Sequence, residues 1–142
     1  MLSMMCDYRV MNPNKGFVCL NEIHFGAHLK APMSSIFREK CTPRTYRSLV
    51  LEGKRFSGPE ALESGIVDGL GGLEEALRLV KERKIMEVTG TGVFGVLRGE
   101  MYRETVGFLT KESCLEEERN VKRLLEGDAR WKAEARGGMA KL

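Results

Sequence analysis

No apolar run in the chain reaches the roughly 18 to 20 residues that a membrane-spanning helix needs, and the first residues lack the basic, apolar, small-residue order of a secretory signal. A soluble, intracellular protein without a membrane span is expected. The four cysteines, Cys6, Cys19, Cys41 and Cys114, form no CxxC pair, which excludes the usual redox and zinc frameworks and leaves reduced, mostly structural thiols. Charge of one sign is scarce too: 23 basic against 20 acidic residues leave a net charge of +3, spread along the chain, so nothing marks a nucleic-acid surface. No internal repeat is present. What remains is a chain of 142 residues with 42% apolar side chains, enough for one domain with a core.

Met1 to Cys6 looks like the end of an apolar helix. Asp7 to Met11 and Phe17 to Ile23 alternate like two extended segments joined by the turn formers of Asn12-Pro13-Asn14-Lys15-Gly16, which predicts a hairpin or adjacent strands. From Pro32 the period becomes helical, with Met33, Ile36 and Phe37 on one face. Thr42-Pro43 opens a second helix carrying Tyr46, Leu49 and Val50, stopped by Gly53. Ser57 with Glu60 makes a capping-box pattern over a short helix that Gly65 closes, and Ile66-Val67-Asp68 predicts a brief strand. A helix on Leu73, Ala76, Leu77 and Val80 follows, then a linker over 85–92 and a helical stretch from Val93 to Leu109. Beyond Lys111 a charged, solvated helix is expected to fray before Gly137. Gly69-Leu70-Gly71-Gly72 fails both the dinucleotide and the P-loop spacing and reads as a tight turn.

Glu22 is the chemically conspicuous residue. In Phe17-Val18-Cys19-Leu20-Asn21-Glu22-Ile23 both alternating faces are mostly apolar, so Glu22 either completes a buried strand on the face of Val18 and Leu20 or opens an exposed loop. In the first case its carboxylate is desolvated, which makes a carboxylate a better base for carbon acids. His24 and His28 stand four residues apart but no third ligand is placed beside them, and no metal site is expected.

Three segments, Cys6-Asp7-Tyr8-Arg9-Val10-Met11, Gly16 to Glu22, and Phe56-Ser57-Gly58-Pro59-Glu60-Ala61-Leu62-Glu63-Ser64-Gly65-Ile66-Val67-Asp68, together resemble the second half of the crotonase superfamily of enoyl-CoA hydratases and isomerases. The similarity is greatest to enoyl-CoA delta isomerases of fungal and plant type and covers about residues 1 to 110. It implies an α/β, partial ClpP/crotonase-like spiral fold lacking its N-terminal half. In that reading residues 1–31 are a remnant of the sheet core, 32–110 the helical region, and 111–142 a charged helical tail.

The resemblance further implies that Glu22 is the catalytic base that moves a proton from C2 to C4 of a 3-enoyl-CoA, with Leu20, Asn21 and Phe25 at the substrate. The CoA thioester is the substrate and no cofactor is implied. The family's oxyanion donors lie in segments upstream of Met1, so the chain is expected to be catalytically incomplete alone. The hydratases' second glutamate would fall at about Met1, which favours isomerisation over hydration. Expected partners are an acyl-CoA, copies of the chain in a trimer-type homo-oligomer or full-length crotonase subunits, and the peroxisomal import receptor. The receptor enters because Ala140-Lys141-Leu142 is a one-residue variant of the Ser-Lys-Leu address, unless this ending is a coincidence.

Overall fold

The computed structural model describes residues 1–139 and divides them into two compact units, the first ending at Val106 and the second beginning at Gly107. The tripeptide Ala140-Lys141-Leu142 lies outside the described residues.

The first unit opens with a 3₁₀ turn, Leu2–Met5, whose Met4 is buried. Strand β1 (Val10–Met11) follows and pairs in parallel with β2 (Gly69–Leu70), Val10 opposite Gly69 and Met11 opposite Leu70. The expected hairpin or pair of adjacent strands is therefore corrected: β1 finds its partner about sixty residues away. Arg9 is the reason. Its backbone N–H donates to Asp68 Oδ2 at 2.9 Å, its Nε donates to the Ile66 carbonyl at 2.6 Å, and its own carbonyl accepts from Asp68 N–H at 2.7 Å. Those bonds tie the start of β1 to the segment that leads into β2. The segment Phe17 to Ile23 keeps one antiparallel bridge, Val18 with Phe56, through N–H···O bonds of 2.9 and 2.8 Å. The brief strand expected at Ile66-Val67-Asp68 begins later, at Gly69, because Ile66 and Val67 are spent as buried side chains in the turn after α3.

Helices supply most of the mass. α1 (Ala31–Lys40) buries Ser35, Ile36 and Phe37, and α2 (Pro43–Val50) buries Thr45 and Leu49. The Thr42 hydroxyl caps α2 by accepting from Thr45 N–H at 3.2 Å, satisfying a donor that the helix start leaves open. α3 (Gly58–Glu63) begins where Glu60 reaches back to accept from Ser57 N–H at 3.0 Å. That bond and the Ser57 hydroxyl, with Lys54 adding to them, hold the Glu60 carboxyl down at about 2. Gly71 bears the tight turn before α4 (Leu73–Glu82), and Glu75 accepts from Gly72 N–H at 2.6 Å.

The expected linker over 85–92 carries a short helix, α5 (Ile85–Thr89). The stretch from Val93 is two helices, α6 (Val93–Met101) and α7 (Arg103–Gly107), broken at Tyr102. The break has a physical cause. Tyr102 and Thr105 are buried, and Thr105 Oγ1 lies 2.7 Å from Ser35 Oγ and 2.8 Å from Glu39 Oε2, so α7 is tied to α1 rather than continuing α6.

The core gathers Met4, Leu20, Ile36, Phe37, Leu49, Phe56, Ala61 and Ile66, drawn from the 3₁₀ turn, the extended segment, the first three helices and the residues just before and after α3. In the second unit α8 (Lys111–Met139) runs on past the Gly137 where fraying is expected, with Leu124, Leu125 and Trp131 exposed and ion pairs Lys122–Glu126 and Asp128–Lys132 along it. No helix among the described residues is long and apolar enough to cross a membrane.

Candidate active site

Leu20 is the anchor of the site. It is 5% exposed in the core, and the two residues after it turn the chain out of the extended conformation: Asn21 adopts φ −104° and ψ 13°, and Glu22 opens a 3₁₀ turn, Glu22–Phe25. Gly26 closes that turn at φ 70°, a left-handed conformation that glycine takes without steric cost, and its N–H donates to the Glu22 carbonyl. Ala27 N–H donates to the same carbonyl at 3.0 Å. Both main-chain bonds fix the backbone that carries the Glu22 carboxylate. Neither the buried strand nor the exposed loop is found: Glu22 heads a turn, and its side chain is half-buried.

Glu22 lines a cavity of about 300 Å³. Leu20, Ile23, Ala27, Leu29, Val50 and Leu51 make its walls apolar, and His28 and Ser34 are its other polar members. Among the described residues, Glu22 Oε2 is the one buried side-chain nitrogen or oxygen without a hydrogen-bond partner. Such an atom carries a penalty of roughly 1–3 kcal/mol, more when charged, and native structures rarely keep one without a reason. A larger groove of about 480 Å³ lies beside α2 and α3, but its lining is mostly hydroxyls and charged side chains, and its Lys54 is already paired with Glu60 at 3.3 Å. The smaller cavity is the better candidate: an apolar container with one unsatisfied carboxylate fits proton chemistry on an apolar molecule.

Of the residues expected at the site, Leu20 and Glu22 come together on this cavity. Asn21 and Phe25 do not line it; both are exposed, Phe25 to 65%. His24 leaves the cavity altogether and packs its imidazole over the α-carbon of Gly53, whereas His28 lines it. Ser34 and the pair Val50-Leu51 were invisible as site residues in the sequence, since they reach the cavity from α1 and from the end of α2. Only the packing of those helices against the Glu22 turn reveals them.

No family model matches the chain. Over 119 residues it is 29% identical to an Arabidopsis thaliana protein named enoyl-CoA delta isomerase 2, peroxisomal, a match that takes in 79% of this chain and 49% of that protein. The chain therefore spans about half the length of the curated relative it matches. Its structure superimposes on an enoyl-CoA hydratase of Mycobacterium marinum with a TM-score of 0.60 at 22% identity, covering 75% of this chain and 47% of the other. It also superimposes on human mitochondrial delta3-delta2-enoyl-CoA isomerase with a TM-score of 0.56 at 22% identity, covering 87% and 55%. The chain has a partial crotonase fold. Within this crotonase fold the two short parallel strands and the helices α1 to α3 form the frame, and the Glu22 turn projects from that frame beside the first turns of α1.

Proposed function

We propose that this chain carries the proton-shuttling base of a Δ3-Δ2-enoyl-CoA isomerase, and that the base is Glu22. The observation that carries the reading is the unpaired, buried Oε2 of Glu22 on an apolar cavity. The similarity to a plant protein named as an enoyl-CoA delta isomerase supports it. In the reaction Glu22 takes a proton from C2 of a 3-enoyl-CoA, the C–H electron pair spreads into a dienolate ending on the thioester oxygen, and Glu22 returns the proton to C4 as the double bond moves to C2–C3. One carboxylate suffices because it finishes as it began. A cavity with no competing donor at Oε2 leaves that oxygen free to accept the proton.

Incubating a complete isomerase that carries the Glu22 segment of this chain with a 3-enoyl-CoA in deuterated water tests this, since the chain alone is expected to lack the oxyanion donors. Conjugation is followed by ultraviolet absorbance and deuterium at C2 and C4 by NMR. Glu22→Gln keeps the shape and loses the base, and the expected loss is ~100 to 10,000-fold. Turnover unchanged by Glu22→Gln would place the base elsewhere.

A second reading has its own support. Leu73, Leu77, Met86, Val96, Leu97 and Met101 on α4 to α6 are each at least 60% exposed, an apolar surface of the kind that subunits cover. In this reading the chain is a non-catalytic subunit that assembles with copies of itself or with full-length crotonase subunits. Co-elution alongside an isomerase subunit, with exchange by the assembly unchanged when Glu22 of this chain is replaced by Gln, would favour it. For location, the relative's name and the Ala140-Lys141-Leu142 ending support import into the peroxisome. Removing Leu142 from a fluorescent fusion should turn peroxisomal puncta into diffuse signal.

A further inference from the structure

α6 and α7 are held to the rest of the first unit by charge and hydrogen bonds rather than by apolar burial. Val93, Val96, Leu97 and Met101 of α6 and Val106 of α7 are each more than half exposed, and among residues 93–107 Tyr102 alone joins the buried apolar core. Ile36, Phe37 and Leu49 of α1 and α2 are, by contrast, fully buried. The attachments of α6 and α7 can be followed one by one. Arg98 Nε donates to both carboxylate oxygens of Asp7, at 3.0 and 2.8 Å, and the same guanidinium donates to the Met5 carbonyl at 3.3 Å. Arg38 donates to Glu104 at 2.6 Å. Lys40 Nζ stands 4.5 Å from the centre of the Tyr102 ring. Thr105 Oγ1 makes the contacts with Ser35 and Glu39 of α1 already described. The segment before α6 is built to bend: Gly90 and Gly92 flank Thr91, and Gly92 holds φ 71°, in the left-handed region that glycine enters without cost.

We propose that α6 and α7 form a strap, hinged at Gly90 to Gly92 and latched by the pairs Arg98–Asp7 and Arg38–Glu104, that lifts off α1 as ionic strength rises while the core stays folded. The side chains of both pairs are 31 to 51% exposed, so mobile ions reach them. Screening shortens the reach of such charges from about 10 Å at ~0.1 M salt to about 3 Å at ~1 M, whereas the apolar burial that holds α1 to α3 together does not depend on it. Opening uncovers Ser35 and Tyr102, both buried when the strap is closed. Ser35 directly follows Ser34 of the Glu22 cavity, so the strap latches the helix that walls the candidate site. The device stands whether or not Glu22 is a catalytic base.

Hydrogen exchange of the full chain, followed peptide by peptide by mass spectrometry at ~0.1 M and ~1 M sodium chloride and one pD, tests this. Amides of residues 93–106 should exchange roughly 3- to 10-fold faster at the higher salt, while those of α2 and α3 change by less than about 2-fold and serve as the internal control. Asp7→Asn combined with Glu104→Gln removes the acid of each pair. That variant should exchange over 93–106 at low salt about as fast as wild type does at high salt, and salt should then add little. The lost salt response separates a latch from a merely structural contact, whose removal would speed exchange and leave the response in place. Should the double variant fail to fold by circular dichroism, Glu104→Gln alone carries the test and must shrink the response. Exchange over 93–106 that ignores salt in wild type, or that lacks protection already at low salt, overturns the proposal. So does a full salt response in either variant, or a speeding of α2 and α3 in step with the strap.

Discussion

Gly53, in the loop after α2, holds φ 59°, and a Cβ placed there would stand 2.3 Å from His24 Nε2 and 3.0 Å from both ring carbons beside it. Gly53→Ala therefore has two separable costs. Holding an alanine in the left-handed region takes about 1–2 kcal/mol. Moving the imidazole adds a second amount, and because His24 is exposed its ring turns off its rotamer for roughly 0.5–1.5 kcal/mol rather than forcing the backbone apart. The expected total is about 1.5–3.5 kcal/mol, read from urea denaturation with unchanged slope. A double-mutant cycle divides it. His24→Ala alone should cost little, and combined with Gly53→Ala it should leave about 1–2 kcal/mol, a coupling of roughly 0.5–1.5 kcal/mol. Strict additivity would mean that His24 does not abut Gly53. A Gly53→Ala cost below about 0.5 kcal/mol would mean that the left-handed turn is not held. The Glu22 turn is the stake, since His24 is its third residue.

The helices were legible because their signals are local. Thr42 before Pro43, Ser57 with Glu60 and Gly65 just past its helix all sit within one turn of the groups they satisfy. The strands were not legible, because a strand of two residues has no period to read and its partner is chosen by Arg9 and Asp68 across the fold. The break at Tyr102 escaped for a related reason: Val93, Val96, Leu97 and Met101 repeat at helical spacing yet lie exposed, while Thr105, polar in sequence, is the residue that α1 buries. The site divides in the same way. Glu22 stood out because it interrupts apolar neighbours, but alternation left a strand and a loop open, and the left-handed Gly26 that closes its turn was the overlooked signal. Ser34 carried none, being one hydroxyl among the serines and threonines of the chain until α2 brings Tyr46 against it.

Leu49, fully buried, should cost about 2–5 kcal/mol when cut to alanine, measured by denaturation. Glu60 ties stability to pH: its folded carboxyl is held at about 2, below its ordinary 4.5, so its contribution is full above about 4.5 and disappears as pH falls toward 2. Glu60→Gln should therefore flatten part of the acid loss, and an unchanged difference between wild type and variant from pH 7 to pH 2.5 would refute the tie. The last prediction concerns the pin between α1 and α7, where one proton decides a ranking. Thr105 Oγ1 donates to Glu39 Oε2 at 2.8 Å, so the 2.7 Å contact with Ser35 has Thr105 as acceptor and Ser35 as donor. Thr105→Val removes a bond to a charged acceptor, worth roughly 1.5–3 kcal/mol, while Ser35 redirects its proton to the Pro32 carbonyl at 3.2 Å. Ser35→Ala leaves the bond to Glu39 intact and should cost only about 0.5–1.5 kcal/mol. Thr105→Val must then be the more damaging of the two in urea denaturation. The opposite order would mean that Thr105 donates to Ser35, and that Glu39 is held at α7 by the Thr105 N–H at 3.3 Å alone.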